Sequence, residues 1–520
     1  MPDPRRGADA RDVVIVGGGH NGLTAAAYLA LAGKRVTVLE RLDSVGGAAV
    51  SAEAFEGVDA RLSRYSYLVS LLPERVIRDL KLDIRLARRR YSSYTPDPTD
   101  PARGLLIDNA DTAATDAALG PDAAAWHDFY AGTGRAARAL FPTVTEPLLT
   151  RTEARAALGD DALWAELIER PIGEAIESRF ESDLVKGVVL TDALIGTFAP
   201  NVDATLAGNR CFLYHVIGGG TGDWDVPVGG MGAVTGELAR AARLAGAELV
   251  TGAEVTSITP DGEVTYRVGG EERSLAATWV LANVAPFVLE QLLGEAPAAT
   301  ERPEGAQVKV NLLLNRLPRL LDPAVDPAAA FGGTFHINES WAQLQSAFEV
   351  AAGGSIPSPL PCEIYCHSLT DPSILSPELQ ASGAQTITVF GLHVPDRLVD
   401  ESTNEARRDE LERAAIASLD SVLGESIEDL LLMDASGRPT IEAKTTLDLE
   451  HALRMPGGNI FHGPLSWPFA EDDAELSTPA QRWGVATRHP RVLLCGSGAQ
   501  RGGAVSGIGG HNAAMAVLES

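Results

Sequence analysis

The spacing of apolar residues near the start of the chain predicts one strand–helix–strand unit. Val13 to Val16 form a continuous apolar run, which is typical of a strand buried on both faces. An Ala-rich segment with helical spacing follows to about Ala32, where Gly33 is well placed to end it. Val36 to Leu39 form the next apolar run and predict a second strand. Two strands joined by a helix within about 30 residues predict a βαβ unit of a parallel sheet.

The later pattern predicts a mixed α and β chain. Residues 71 to about 200 carry helical stripes and are expected to be mainly helical. Residues 401–430 are expected to form an acidic, amphipathic helix pair at the solvated surface. Two further helices are expected, Ala233 to Leu244 and one starting near Asn512. Strands are expected at Leu249–Ile258, Val264–Val268, Leu275–Ala282, Val308–Leu314, Glu363–His367, Thr386–Val394 and Val492–Cys495. The runs between 308 and 394 indicate a second sheet.

Charge and apolar content exclude several classes of protein. The chain has 520 residues and a net charge of −27, so it lacks the basic surface that binds nucleic acid or anionic lipid. No run approaches the ~18 apolar residues of a membrane-spanning helix, and the N-terminus lacks the apolar core of a secretory signal. We therefore expect a soluble, cytoplasmic protein, with an organelle matrix left open as its location.

The four cysteines do not form a recognisable redox or metal motif. Cys362 and Cys366 are separated by three residues, a spacing that fits neither a zinc knuckle nor a redox-active C-x-x-C pair. We expect Cys211, Cys495 and this pair to be reduced and mostly buried, and we predict no metal site.

The first glycine cluster predicts dinucleotide binding. Gly17, Gly19 and Gly22 form G-x-G-x-x-G between the first strand and the helix, and Glu40 ends the second strand. In such a unit the first glycine permits a tight turn, the second lets the backbone approach a pyrophosphate, and the third lets the helix pack closely on the strand. Helix amides then face the phosphates, and Glu40 can accept hydrogen bonds from ribose hydroxyls.

Two other large glycine clusters, at 218–232 and 496–510, do not repeat this motif. Asp223 stands where the third glycine would fall in the first cluster, and Arg501 stands there in the second. Hence we predict no separate NAD(P)H-binding domain.

Long sequence blocks resemble one family among the phytoene dehydrogenase-like FAD-dependent oxidoreductases, the pyridine nucleotide-disulfide oxidoreductase domain-containing protein 2 family. The blocks are RYSYLVSLL at 64–72, GDWDVPVGGMGAVT at 222–235, VKVNLLL at 308–314, MPGGNIFHGPLS at 455–466 and LLCGSGAQRGGAVSGIGGHNAA at 493–514. The resemblance covers nearly the whole chain. The family name implies disulfide reduction, but the chain lacks the C-x-x-C pair that this chemistry requires.

The resemblance implies FAD as the cofactor and adds residues to its expected site. Arg41 and the pair Gly46-Gly47 match the segment that crosses near the flavin end of FAD, and the backbone of Val255 would hold the adenine. The C-terminal turn would meet the pyrophosphate and the pyrimidine edge of the flavin through Gly496, Gly503 and Gly507.

The expected architecture is an α/β, Rossmann-like FAD domain of the two-dinucleotide-binding type, built from discontinuous segments around an inserted mixed α+β substrate domain. The predicted boundaries are a disordered N-terminus at 1–11, FAD-binding parts at 12–70, 228–296 and 485–520, and substrate-domain parts at 71–227 and 297–484.

The resulting hypothesis is an FAD-dependent dehydrogenase or desaturase that takes hydride from a C–H bond of a hydrophobic small molecule onto flavin N5. The cofactor performs the chemistry, while the protein orients the substrate and excludes water. His215 is the first candidate for an acid or base, with His462 and His511 as alternatives, although each is equally suited to packing. Tyr65, Tyr67 and Trp224 are candidates to face the flavin.

Other functions share the same scaffold. An amine or amino-acid oxidase would want a carboxylate-binding arginine and an aromatic cage, for which Arg501 and Trp224 are candidates. A non-redox isomerase that uses reduced FAD is a third option. A protein of another class would keep FAD as a stabilising ligand and act in structure or regulation with little turnover. The electron acceptor, whether oxygen, a quinone or a protein, stays open, and so does the oligomeric state.

Overall fold

The computed structural model describes residues 11–298 and 301–520. The strands are β1 Arg11–Val16, β2 Val36–Leu39, β3 Ser51–Glu53, β4 Arg61–Ser63, β5 Leu86–Ala87, β6 Tyr91–Asp97, β7 Asp100–Asp108, β8 Val226–Pro227, β9 Glu248–Val250, β10 Ala253–Ile258, β11 Glu263–Val268, β12 Glu271–Ala282, β13 Val308–Leu314, β14 Thr334–Ile337, β15 Cys362–Tyr365, β16 Gln385–Gly391, β17 Ile441–Lys444 and β18 Val492–Leu494. The disordered N-terminus expected at 1–11 falls at 1–10 outside the described residues, and Arg11 already belongs to β1.

Helices fill most of the intervals between these strands. They are α1 His20–Leu31, α2 Glu74–Asp79, α3 Thr112–Leu119, α4 Ala123–Leu140, α5 Arg151–Leu158, α6 Asp161–Trp164, α7 Ile172–Arg179, α8 Asp183–Leu190, α9 Ala207–Val216, α10 Met231–Leu244, α11 Pro286–Leu292, α12 Pro327–Ala330, α13 Trp341–Ala352, α14 His367–Thr370, α15 Pro377–Ser382, α16 Asn404–Asp420, α17 Thr446–Leu453, α18 Pro479–Arg482 and α19 Ile508–Leu518. None of the helices in the described part of the chain combines the length and apolar character that crossing a bilayer requires.

The first sheet brings together three distant parts of the chain. Its parallel strands lie in the order β9-β2-β1-β12-β18, and the first half of β12 continues into the antiparallel meander β10-β11-β12. On β1, Val13 and Ile15 pack into the cluster formed with α1, α10 and α19, whereas Val14 and Val16 pack against the meander. Burial of both faces explains the unbroken apolar run. The arrangement confirms the α/β, Rossmann-like fold class.

The segment expected as one strand over 249–258 is two strands in different places. Its first part is β9, which pairs with β2, and its second part is β10, which pairs with β11. Gly252 lies between them with φ of +64°, a conformation that breaks strand continuity.

The second sheet is mixed and has the order β17-β13-β16-β15-β14-β6-β7. The expectation that residues 71–200 are mainly helical is wrong for 86–108, where β6 and β7 form an edge hairpin. Strand β6 pairs in parallel with β14, which lies some 240 residues later in the chain. The local pattern of apolar residues therefore does not predict this pairing. Residues 401–430 hold one long helix, α16, and a short 3₁₀ turn instead of two helices.

Helix α16 has one buried side, as expected of an amphipathic helix at the surface. Leu411, Ala415 and Leu419 recur at helical spacing and pack into the hydrophobic cluster of the second sheet. On the other side of that sheet, Phe390 and Leu392 join a cluster with helices α4 to α9. The second sheet is therefore enclosed between helices on both faces.

Close contact between α1 and α19 suggests a stability test with a matched control. A Cβ added at Gly510 of α19 would lie 1.9 Å from the carbonyl oxygen of Asn21 on α1, whereas a Cβ at Gly236 of α10 would meet no atom within 4 Å. We expect Gly510→Ala to lower the free energy of unfolding by about 1–3 kcal/mol through overpacking. Gly236→Ala should leave stability unchanged or raise it by up to about 1 kcal/mol, because alanine favours the helix. Urea denaturation of both variants checks this, and equal midpoints would contradict the close packing.

Candidate functional site

One cavity of about 1580 Å³ lies between the two sheets. Its volume exceeds the ~300–1,000 Å³ of ordinary small-molecule sites, so it can hold more than one small ligand or one long one. One end is lined by the first glycine turn and the ends of the parallel strands. The other end is lined by the second sheet and by helices from the 71–227 region. The carboxyl ends of parallel strands are where open α/β sheets bind their ligands.

The glycine turn forms the wall at the first end. Gly17 has φ of +99°, and a Cβ there would lie 2.6 Å from the carbonyl oxygen of Asn283. The amide of Gly17 donates to Leu39 O (2.8 Å), and Asn283 Nδ2 donates to Gly17 O (2.9 Å). Gly17, Gly19 and His20 line the cavity, and α1 begins at His20. A helix N-terminus with free amides at a glycine turn is suited to bind a phosphate group.

Glu40 closes the turn and keeps acceptor capacity toward the cavity. The side chain is buried, and its Oε2 accepts from Gly18 N (2.7 Å) while Oε1 accepts from Leu42 N (2.8 Å). Each carboxylate oxygen has a second lone-pair site, so a ribose hydroxyl can still donate to it. Its neighbour Arg41 also lines the cavity and donates to Ala452 O (2.7 Å) at the end of α17.

The structure brings six of the predicted cofactor residues to the cavity wall. They are Gly17, Gly19, Glu40, Arg41, Gly47 and Val255. The other five, Gly22, Gly46, Gly496, Gly503 and Gly507, lie outside the lining residues. Close packing explains why glycine occupies these positions. A Cβ on Gly22 would lie 2.2 Å from Gly17 O, and a Cβ on Gly507 would lie 2.8 Å from Thr24 Oγ1. Within the C-terminal turn, Ser497, Ala504 and Val505 reach the cavity instead.

Two histidines at the glycine turn present unsatisfied nitrogens. His20 and His462 both line the cavity, and His20 Nε2 and His462 Nδ1 are buried without a hydrogen-bond partner. Burial lowers the pKa of each imidazole to about 4, with His462 adding to the effect on His20, so both rings are neutral at pH 7. Buried polar atoms usually have partners. These two orphaned nitrogens therefore fit a site that receives a polar ligand.

The other two predicted histidines have structural contacts. His215 lines the cavity, but its Nδ1 donates to Cys211 O (2.8 Å), its ring lies on Trp224 with centroids 5.3 Å apart, and burial lowers its pKa to about 4. His511 is not among the lining residues: it packs edge-on against Tyr28 and Trp483. The structure therefore places His511 in the core, on the buried side of α19.

Trp224, Tyr65 and Tyr67 all line the cavity, as expected for rings that face a ligand. Arg501 is placed elsewhere: it is buried and donates to the carbonyl oxygens of Thr143, Glu146 and Trp483. Arg501 is also not among the residues that line the cavity, so the structure does not place it to bind a substrate carboxylate there.

The second end of the cavity carries charged residues that motif analysis missed. Lys309 on β13 is buried; its Nζ donates to Ser63 O (2.9 Å) and lies 4.8 Å from the centre of the Tyr67 ring. Burial lowers its pKa well below the usual value. The Arg89 guanidinium donates to Trp224 O and Thr334 Oγ1. The sequence contains one sign of this charged wall, which is the single lysine in the otherwise apolar run VKVNLLL.

An acidic group completes the inner wall. Asp192, His336 and Glu363 line the cavity together with Thr191 and Tyr365. Their carboxylates and imidazole come from separate elements: the 3₁₀ turn after α8, strand β14 and strand β15. The inner end is therefore polar and charged as well as aromatic.

The cysteines take no part in the cavity wall. All four are free and buried, and burial raises the pKa of the Cys366 thiol to about 12. Such thiols are protonated at neutral pH and unsuited to disulfide exchange.

These features define a protein with a Rossmann-like domain and a second sheet across its cavity. Residues 15–74 match the family described as NAD(P)-binding Rossmann-like domain. Among solved structures, a putrescine oxidase mutant has a TM-score of 0.59 at 15% identity over 98% of this chain and 99% of that one. Cyclohexylamine oxidase from Brevibacterium oxydans has a TM-score of 0.57 at 16% identity over the same shares. At this identity the likeness shows a shared fold.

Curated relatives define the family. Pyridine nucleotide-disulfide oxidoreductase domain-containing protein 2 of Rattus norvegicus is 31% identical over 98% of this chain and 93% of its own length. Uncharacterized protein Rv0897c of Mycobacterium tuberculosis is 56% identical over 98% of this chain and 97% of its own. The chain belongs to the pyridine nucleotide-disulfide oxidoreductase domain-containing protein 2 family, as its sequence blocks predict.

Proposed function

We propose that the protein is an FAD-dependent oxidoreductase that removes hydride from a C–H bond of a small molecule. The observation that carries the proposal is the single cavity that joins the glycine turn and Glu40 to the charged and aromatic inner wall. A cofactor held at the first end and a substrate held at the second would share one enclosed space. FAD is favoured over a nicotinamide cofactor because the β10–β12 meander and the C-terminal turn both reach the cavity through Val255 and Ser497.

Within this proposal, each region of the cavity has a separate task. The amides at the start of α1 would bind the pyrophosphate, and Glu40 would accept from the adenosine ribose. FAD, when bound, supplies the hydride acceptor. The rings of Tyr65, Tyr67 and Trp224 would form an apolar boundary that excludes water from the reacting C–H bond. We propose that the reaction is of the dehydrogenase or desaturase type.

Lys309 is the residue best suited to accept a proton. Burial holds its pKa well below the usual range, which favours the neutral amine that can accept a proton. None of the three histidines proposed from the sequence combines these features: His215 is tied to Cys211 O, His462 has a pKa near 4, and His511 lies off the cavity. A substrate O–H or N–H next to the oxidised carbon would lose its proton to Nζ.

Amine oxidation is the second candidate, and the charges of the inner wall favour a substrate that carries an amine. Asp192 and Glu363 on that wall suit a substrate with polar or cationic groups better than the wholly hydrophobic substrate expected from the sequence. The two structures with a similar fold are amine oxidases by name. An anaerobic screen of amines, amino acids, alcohols and lipids for loss of flavin absorbance separates the candidates. A yellow protein that none of them bleaches would favour the non-enzymatic, regulatory alternative.

Glu40→Gln should weaken FAD binding by about tenfold or more, because a charged acceptor toward a hydroxyl contributes ~1.5–3 kcal/mol. Glu40→Arg should weaken it further by placing a cation at the ribose. Asp43→Asn and Asp43→Arg, three residues along at an exposed position, are the matched controls. Flavin content of the purified proteins, with affinity from titration of the apo forms, gives the measurement. Unchanged flavin content in both Glu40 variants would show that the first βαβ unit is not the FAD site.

Lys309→Met should leave FAD content intact and slow anaerobic flavin reduction by about 10²–10⁴-fold, the usual contribution of a general base. The control is Lys34→Met, at an exposed position that does not line the cavity. Stopped-flow measurement of flavin reduction with the substrate found in the screen gives the rates. Equal rates for the two variants would remove Lys309 from the proposed mechanism.

A further inference from the structure

A buried cluster of acids lies where the second sheet meets the helices, and strand register assembles it. His336 on β14 and Glu363 on β15 are directly opposite residues of an antiparallel pair, so their side chains share one face of the sheet. Glu339 follows β14 in the loop before α13, and its Oε2 lies 2.7 Å from His336 Nδ1. His336 Nδ1 is 4.0 Å from Glu363 Oε1. Thr191 and Asp192 cover this face from the helical side.

The cluster has fewer hydrogen-bond donors than its carboxylates can accept. Thr191 Oγ1 lies 3.0 Å from Glu339 Oε2 and 2.9 Å from Glu363 Oε1, yet a hydroxyl has one hydrogen to donate. Tyr365 donates to Glu363 Oε2 (2.5 Å). Glu339 Oε1 is buried with no partner, in a residue that is 1% exposed. A buried, unsatisfied carboxylate oxygen is costly, and each additional donor in this space would stabilise it.

The cluster also has too little positive charge of its own. Among the described residues, the ion pairs of Glu339 and Glu363 are made with His336 alone. Burial, together with Glu339, raises the pKa of Glu363 to about 7, and burial raises that of Asp192 to about 6. Glu363 and Asp192 therefore keep their protons to a higher pH than carboxylic acids do in water, because His336 offsets only part of the effect of burial.

We propose that Asp192, Glu339 and Glu363 bind the ammonium group of a substrate that carries a primary amine. This inference rests on the proposed function for the reaction, and it adds the class of substrate. An ammonium supplies three N–H donors and one positive charge to a site that lacks both. Asp192 and Glu363 line the cavity, so a ligand reaches them from the same space that holds the glycine turn. Glu339 lies behind this lining and is joined to Glu363 through the hydroxyl of Thr191.

The hydrogen bonding of His336 favours an ammonium over a metal ion in this cluster. The candidate ligand atoms of His336, Glu339 and Glu363 lie within 4.8 Å of one another. His336 is committed to Glu339 through Nδ1, which leaves that nitrogen without a lone pair for a metal.

The bound ammonium serves as an anchor. Hydride loss from a carbon next to nitrogen needs the nitrogen lone pair, which an ammonium lacks, so the oxidised C–H bond belongs to another part of the same molecule. The cluster then sets specificity by holding one charged end while the remainder of the substrate extends along the cavity.

Calorimetric titration of the purified, flavin-containing protein with butylamine hydrochloride tests the proposal without any redox step. We expect saturable binding of butylamine and no binding of 1-butanol, which has the same chain without the charge. Glu339→Gln should weaken butylamine binding at least tenfold, because it replaces the unpaired carboxylate by a neutral amide. The matched control Glu349→Gln, at an exposed position on α13, should bind as the wild type does.

Three results would overturn the proposal: equal heats for butylamine and 1-butanol, unchanged affinity in Glu339→Gln, or stoichiometric binding of Zn²⁺ with no binding of the amine. Asp192→Asn provides a second variant if Glu339→Gln does not fold by circular dichroism. Flavin content is measured on every sample. Loss of amine binding in a variant that keeps its FAD concerns this cluster, whereas a wild-type protein that binds butylamine but retains no FAD contradicts the proposed function instead.

Discussion

The close approach of three backbone segments at the glycine turn is the constraint on which the rest of the site depends. Gly22 lets α1 pack directly over the turn, where a Cβ would meet Gly17 O at 2.2 Å, and Asn283 ties that same carbonyl to the end of β12. Gly510 allows the same close packing between α19 and α1. These contacts hold the N-terminus of α1 at the cavity, and Glu40 is fixed beside it by two backbone amides. The binding wall is therefore assembled before any ligand arrives.

Local motifs were sufficient to predict this first wall. The glycine spacing, the apolar run Val13–Val16 and the acid Glu40 all act within one βαβ unit, so their meaning does not depend on distant residues. The inner wall is different. Glu363 and His336 are 27 positions apart and meet only through antiparallel register, and Thr191 reaches them from another part of the chain. A single sequence contains no signal for such pairings, because register is set by the packing of the whole sheet.

The C-terminal glycines show that close packing within the protein can also require glycine. Gly496, Gly503 and Gly507 are not among the residues that line the cavity, and their lack of a side chain allows Asn283, Tyr214 and Thr24 to pack closely. Glycine is needed wherever the backbone approaches another group closely, whether that group belongs to a ligand or to the protein. Sequence alone cannot distinguish these two requirements, and the cavity lining within this turn comes from neighbours such as Ser497 and Ala504.

The charged residues buried at the inner wall explain why this wall would select the substrate. Lys309, Arg89 and the acids around Glu363 are held in a desolvated space, where unpaired charges are destabilising and complementary ones interact strongly. A fold under no functional demand would replace them with apolar residues of similar size at little or no cost in stability. These charged residues lie at the second sheet, opposite the glycine turn. Their presence there points to a ligand that offsets part of the cost of burying them when it binds. The geometry at the glycine turn is fixed by backbone contacts and glycine packing. This end of the cavity would therefore remain the same for many substrates.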